Sequence, residues 1–322
     1  MTQASKQLLS VVVPVYNERA GLVSFHESLL DVLRQLPMEF EIIYCDDGSL
    51  DGSIGLLHEL SEKQPQLRVL RLSRNFGKEL ATTAGIHEAK GDAVVTLDAD
   101  GQHPVELIPQ FVAKWQQGAK VVVGVRTEKR RAGLLKRAGS KFFWGTFSKL
   151  SGLKIVPGSS DYRLIDRAVQ KEFVRMTERN RITRGLIDWL GYKREYVYYR
   201  ENSRVHGAAT YSLPKLIKLA VDSAISLSIS PLYITAYIGA VVLPLSVLLG
   251  VGMSINALLG DPMNLHATGG AYLMVFVLFL VGIILVSQGI IGLYLSHIHT
   301  ETQNRPLYVV DRAESRGVSW GE

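Results

Sequence analysis

The sequence predicts an α/β fold, a mostly parallel sheet with helices on both faces, followed by an amphipathic helix and two membrane-spanning helices. Three observations carry this. Over the first 125 residues strand-like apolar runs alternate with helix-like segments, the pattern of βαβ repetition. The polar groups Asn17-Glu18, Asp46-Asp47 and Asp98-Asp100 all fall where a predicted strand ends, the edge at which such sheets bind ligands. Farther on, Leu232 to Leu259 and Ala271 to Ser296 contain no charged residue. Each stretch is long enough for a helix of roughly 40 Å, against a bilayer core of about 30 Å.

Leu8 to Val15 is short, valine-rich and interrupted by Pro14, so it reads as a strand and not as a cleavable signal. Helices are expected near Ala20–Leu36, Ser53–Lys63, Lys78–Ala89 and Pro104–Gln117. They alternate with strands at Phe40–Cys45, Leu67–Leu72, Ala93–Leu97 and Lys120–Val125. From Leu213 to Ala224, apolar residues at 213, 216, 217, 220, 221 and 224 keep helical spacing, with Lys215, Lys218 and Asp222 off the stripe. Directly before a span, such a helix is expected in the membrane interface; packing on the soluble body is the alternative. Pro244 and the glycines at 250, 252, 282, 289 and 292 are compatible with membrane helices, where they allow close packing. The expected division is 1–212, a catalytic domain; 213–230, the amphipathic helix; 231–300, two spans; and 301–322, a tail.

Lys and Arg crowd the segment before the first span, and Arg305, Arg312 and Arg316 follow the second. The positive-inside rule then places both termini in the cytoplasm, and the protein in the cell (inner) membrane. The lone Cys45 excludes an intramolecular disulfide. A net charge of +6 suits anionic partners such as lipid headgroups or nucleotides; no nucleic acid is expected.

Asp98 and Asp100 lie two residues apart where a buried strand emerges. On an extended segment such side chains point the same way and would share one divalent cation. Mg2+ or Mn2+ suits that arrangement, since these ions are commonly held by one or two carboxylates plus substrate phosphates. Asp46-Asp47-Gly48-Ser49 alone is ordinary turn chemistry. On the same sheet edge as Asp98, its carboxylates gain a second use, accepting hydrogen bonds from a nucleotide base or ribose. No G-x-G-x-x-G follows the first strand and no Walker P-loop is present, so dinucleotide binding is disfavoured.

Together, Val13-Pro14-Val15-Tyr16-Asn17-Glu18, Asp46-Asp47-Gly48-Ser49, Arg74-Asn75-Phe76-Gly77-Lys78, Asp98-Ala99-Asp100-Gly101-Gln102-His103-Pro104 and Asp161-Tyr162-Arg163-Leu164 carry a resemblance. Their order and spacing, joined to two C-terminal spans, resemble the inverting family 2 glycosyltransferases of GT-A fold. The subgroup resembled is the polyprenyl-phosphate glycosyltransferases, which include dolichyl-phosphate mannose synthase and bacterial undecaprenyl-phosphate glucosyltransferases. By that resemblance Pro14, Tyr16, Glu18, Asp46, Asp47, Lys78 and Asp98 hold the nucleotide. Asp98, Asp100 and Gln102 surround the metal, with Asp100 also counted among the catalytic residues. Arg126, Arg137, Ser140 and Arg204 contact the acceptor or diphosphate. Asp161 lies close to the acceptor, either as a general base or in structural contact with an arginine. A phosphate monoester with a second pKa of about 6 needs little deprotonation at neutral pH. The densest basic run, from Arg126 to Lys141, is otherwise a solvated or membrane-facing patch. Ala209 and Thr210 depart from the family, which usually has serine and lysine there.

The function so implied is transfer of a sugar, with UDP-glucose the first choice of donor, to a polyprenyl phosphate such as undecaprenyl phosphate. Inversion at the anomeric carbon and a role in the cell envelope accompany it; oligomeric state is left open, packed membrane helices being compatible with a homo-oligomer. One rival is a processive polysaccharide synthase, disfavoured because two spans offer little for a polymer channel and no Gln-x-x-Arg-Trp motif occurs. The other is a catalytically silent membrane scaffold that retains the nucleotide fold.

Overall fold

The computed structural model describes residues 7–127, 156, 158–179, 181–200, 255, 258–259 and 269–318. Arg137, Ser140, Arg204, Ala209, Thr210, the expected amphipathic helix and nearly all of the first expected span lie outside these residues. The chain divides into two compact units, 1–212 with 305–322, and 213–304.

The first unit is a three-layer α/β structure. Seven strands, β1 (Leu8–Val15), β2 (Glu39–Asp46), β3 (Leu67–Arg71), β4 (Ala93–Thr96), β5 (Val121–Arg126), β6 (Ser159–Asp166) and β7 (Arg194–Tyr199), pair in the order β3-β2-β1-β4-β6-β5-β7. Four pairings are parallel, β1 with β2 and β4, β2 with β3, and β5 with β7. β6 runs antiparallel to both of its neighbours, so the expected parallel sheet is mixed at this strand. Helices α1 (Arg19–Leu33), α2 (Ser53–Lys63), α3 (Lys78–Glu88) and α4 (Ile108–Gln116) follow the first four strands, α4 after one 3-10 turn. Two shorter helices, α5 (Arg167–Val174) and α6 (Thr183–Trp189), precede β7.

Alternation along the strands sorts the core into two layers. Val11, Val13, Val15, Ile42 and Tyr44 join Leu22, Leu29, Leu57 and Phe111 on the face covered by α1, α2 and α4. Val12, Ile43 and Cys45 join Ala81, Ala84, Val169, Phe173 and Ile187 on the face covered by α3, α5 and α6. Small residues let α3 lie close to the sheet: a Cβ on Gly85 would stand 2.3 Å from Val12 Cγ1 and 2.6 Å from Cys45 Sγ.

The segment after residue 304 returns to the first unit as a strap along the free edge of β3. Val69 pairs antiparallel with Arg316 and Leu72 with Val310. Ser73 N donates to Val309 O at 2.9 Å, and Arg71 N to Ser315 Oγ at 3.1 Å. Tyr308 hydrogen-bonds His87 of α3 at 3.0 Å. An otherwise unpaired edge is thereby covered.

In the second unit, α7 (Gly269–Thr302) has 34 residues. At 1.5 Å per residue it measures about 51 Å, and it contains the charge-free stretch Ala271–Ser296. Among the described residues, no helix is long and apolar enough to cross a membrane.

Candidate functional site

The carboxyl ends of β1, β2 and β4 present the loops singled out above, and cross-links between loops fix them. Asn17, at φ 55°, receives Leu50 N on its Oδ1 at 2.9 Å, while its own N–H donates to Ser49 Oγ at 3.0 Å. The loop after β1 is thus tied to the turn after β2. Within that turn Gly48 has φ +71°, and a Cβ there would lie 2.8 Å from the Arg74 carbonyl carbon, so glycine is required.

Asp46 and Asp47 are both buried, and each is committed to backbone donors. Asp46 accepts from Ser49 N at 3.2 and 3.3 Å and faces Arg71 at 3.7 Å. Asp47 accepts from Phe76 N at 2.7 Å and Gly77 N at 2.8 Å, clamping the loop that delivers Lys78. Burial raises both carboxyls; hydrogen bonds from Ser49, and from Phe76 and Gly77, oppose the rise. Pro14 stands opposite Cys45 in the β1–β2 register, and Tyr16, two residues on, is exposed.

Lys78, first residue of α3, joins two elements that sequence separates widely. Its Nζ donates to Asp98 at 2.8 Å and to Asp161 Oδ2, on β6, at 3.0 Å. Partial desolvation lowers the pKa of this half-exposed ammonium, but Asp98 and Asp161 more than compensate and hold it charged. Burial raises Asp98, yet Lys78 and His103 prevail and keep its carboxyl well below the usual range. Asp161 is likewise lowered, burial being outweighed by Lys78 and Arg184. Thr96 Oγ1 fixes the strand beneath, donating to Asp161 O at 2.8 Å.

β4 ends at Thr96, so Asp98 and Asp100 stand on a turn and strand alternation does not align them. Asp98 turns toward Lys78 and His103. Asp100 Oδ1 accepts from Gln102 N at 3.0 Å and lines a cavity of ≈ 180 Å³ with Glu18, Ser24 and Glu106. Gln102 is buried. Arg126 ends β5, its N–H donating to Gly158 O at 2.9 Å.

Several residues in or around the site carried no separate signal in the sequence. His103, buried, reaches Asp98 with Nε2 at 3.4 Å and hydrogen-bonds the Tyr199 hydroxyl through Nδ1 at 2.8 Å. Tyr199 continues to Ser160, which donates to Gly124 O at 2.9 Å. Arg163, only 2% exposed, pairs with Asp188 at 2.9 Å and donates to Ser160 O at 3.1 Å. An arginine in a strand ordinarily reads as surface, and its burial follows from the Asp188 partner supplied by α6.

Among the described residues, no three His, Cys, Asp or Glu side chains group to hold a metal ion. The donor set at the turn is oxygen-rich but small. It fits an ion that takes one or two carboxylates and completes its shell with phosphate and water.

The glycosyl transferase family 2 model matches residues 10–173. The chain belongs to this family. The glycosyltransferase is also similar along most of its length to curated proteins. It is 36% identical to the SfII prophage-derived bactoprenol glucosyl transferase of Shigella flexneri over 95% of this chain and 98% of that one. An uncharacterized glycosyltransferase of Synechocystis is 36% identical over 94% of each chain. A prophage bactoprenol glucosyl transferase homolog of Escherichia coli is 34% identical over 95% of this chain and 99% of that one. The family match ends within α5 and takes in Asp46, Asp47, Lys78, Asp98 and Asp161, so the cluster described above lies within the shared glycosyltransferase fold.

Proposed function

We propose that this glycosyltransferase moves glucose from UDP-glucose to a polyprenyl phosphate, with inversion at the anomeric carbon. The observation that carries this reading is the Lys78–Asp98–Asp161 cluster, in a chain similar over nearly its full length to bactoprenol glucosyl transferases. Asp46 and Asp47 fix the loops that would receive the nucleotide, and Lys78 would meet the diphosphate. Asp98 and Asp100, with Gln102 beside them, would hold Mg2+ or Mn2+, an ion that would supply positive charge opposite the departing diphosphate. Asp161 stays ionised beside Lys78. With a second phosphate pKa of about 6, the acceptor arrives largely deprotonated. Asp161 therefore orients the acceptor more than it removes a proton.

The membrane part of the proposal rests on sequence. The charge-free stretches at 232–259 and 271–296 form two spans, and the basic flanks hold both termini on the cytoplasmic side. The test incubates the purified full chain, in nanodiscs with Mg2+ or Mn2+ and undecaprenyl phosphate, with a panel of sugar nucleotides. Mass spectrometry of the lipid and the anomeric coupling constant of the product are read. A β-linked hexosyl-phosphate lipid from UDP-glucose is expected. Retained configuration, or no lipid product from any donor, refutes the proposal.

A further inference from the structure

Phosphate oxygens arriving beside Asp161 meet a carboxylate, so a cation with charge to spare has to face the same spot. Lys78 is shared between Asp98 at 2.8 Å and Asp161 at 3.0 Å. Arg163 is sequestered on Asp188 and on the Ser160 carbonyl. Arg184 differs from both. It lines a small cavity with Lys78, Thr96 and Asp161, and its charge acts on Asp161. Among the described residues its guanidinium makes no hydrogen bond and no ion pair. Its backbone, by contrast, is pinned on both sides. Thr183 N donates to Glu79 Oε2 at 2.8 Å, and Arg163 Nη1 donates to the Arg184 carbonyl at 3.3 Å. In the same cavity wall Asp161 Oδ1 and Arg163 Nη2 are buried without a partner. A held backbone with an uncommitted guanidinium is the arrangement of an anion-binding arginine, whose fork matches two phosphate oxygens.

We propose that Arg184 binds phosphate oxygens of a substrate in the cavity it shares with Lys78 and Asp161, with Glu79 and Arg163 as the positioning residues that hold its backbone. The ligand chemistry is a phosphate dianion or diphosphate, and the acceptor headgroup and the donor both supply it. The inference rests on the function proposed above for the acceptor arm only.

The experiment compares the full-length wild type with Arg184→Gln and Arg184→Lys in nanodiscs. It measures KM for undecaprenyl phosphate, KM for UDP-glucose, and the Kd of UDP by calorimetry. Loss of a charge-assisted bidentate contact predicts a rise of about tenfold in one of these constants for R184Q, and a smaller rise for R184K. A rise confined to the lipid constant assigns the site to the acceptor phosphate; a rise in the UDP constants assigns it to the donor diphosphate. All three constants within about twofold of wild type overturn the proposal. Should R184Q fail to fold, R184K carries the test, because an ammonium cannot reproduce the fork, and unchanged constants there count against Arg184 equally. If the wild type transfers nothing to undecaprenyl phosphate, the functional proposal falls. UDP binding by wild type and variant still reports on Arg184 in that case.

Discussion

Replacing Lys78 with methionine is predicted to weaken catalysis and, at the same time, tighten divalent-metal binding. The ammonium lies 2.8 Å from Asp98 and 3.0 Å from Asp161, so it occupies charge that a metal at Asp98 would otherwise use in full. Coulomb's law at an effective dielectric of 20 gives about 6 kcal/mol for the shorter contact. The Lys78 side chain is 44% exposed, so solvent screening cuts this heavily. We take a net effect of about 1–2 kcal/mol, or roughly 5–30-fold in a dissociation constant. Mn2+ binding to the protein without nucleotide, followed by electron paramagnetic resonance, is expected to tighten by that factor in K78M. Sugar transfer should fall by at least about tenfold, because the variant lacks the cation proposed to meet the donor diphosphate. A variant whose Mn2+ affinity is unchanged or weaker would show that Lys78 and the metal do not compete for Asp98, and the placement of the ion would have to be abandoned.

Three further outcomes follow from the packing. Gly85→Ala puts a Cβ 2.3 Å from Val12 Cγ1 against a sheet that cannot yield, and should cost about 1–3 kcal/mol in chemical denaturation; an unchanged midpoint would mean that α3 lifts freely. Tyr199→Phe removes a hydroxyl bonded to both His103 and Ser160, and is expected to lose about 1–2 kcal/mol of stability and to slow transfer severalfold by loosening His103 behind Asp98; thermal melting and kcat check this. His87 is lowered from 6.5 to about 4 by burial and by Arg181. The unfolded chain therefore takes up this proton first as the pH falls. Stability is full above pH 6.5 and declines toward pH 4, by about 3 kcal/mol at most; His87→Gln should flatten that decline in melts across the same window.

Much of the fold could be read from the sequence because β1 to β5 and α1 to α4 have clean periodicity. Ser53–Lys63 is matched residue for residue, and most other boundaries fall within one or two residues of expectation. The helix expected to reach Leu36 ends at Leu33, where the chain turns into β2. β6 was not legible, because its buried Arg163 breaks the apolar run and its antiparallel direction depends on a connection beyond the periodic region. Asp46, Asp47, Lys78, Asp98 and Asp161 were found as motif residues. Their grouping required the tertiary structure: Lys78 and Asp161 are 83 positions apart and meet only because β6 lies next to β4. His103, Glu79 and Arg184 act through partners on other elements, and no local spacing announces them.

The strap gives the architecture a practical consequence. Since residues 305–322 belong to the same unit as 1–212, the polypeptide between them is an insertion rather than an appendage, anchored at both of its covalent ends. Truncation anywhere before Arg305 would not leave the first unit intact; it would strip β3 of its outer neighbour and leave Arg71, the partner of Asp46, without Ser315 and Glu314. A shortened version has to bypass residues 213–304 and rejoin the two pieces, keeping the strap contacts of Val310, Ser315 and Arg316 along β3.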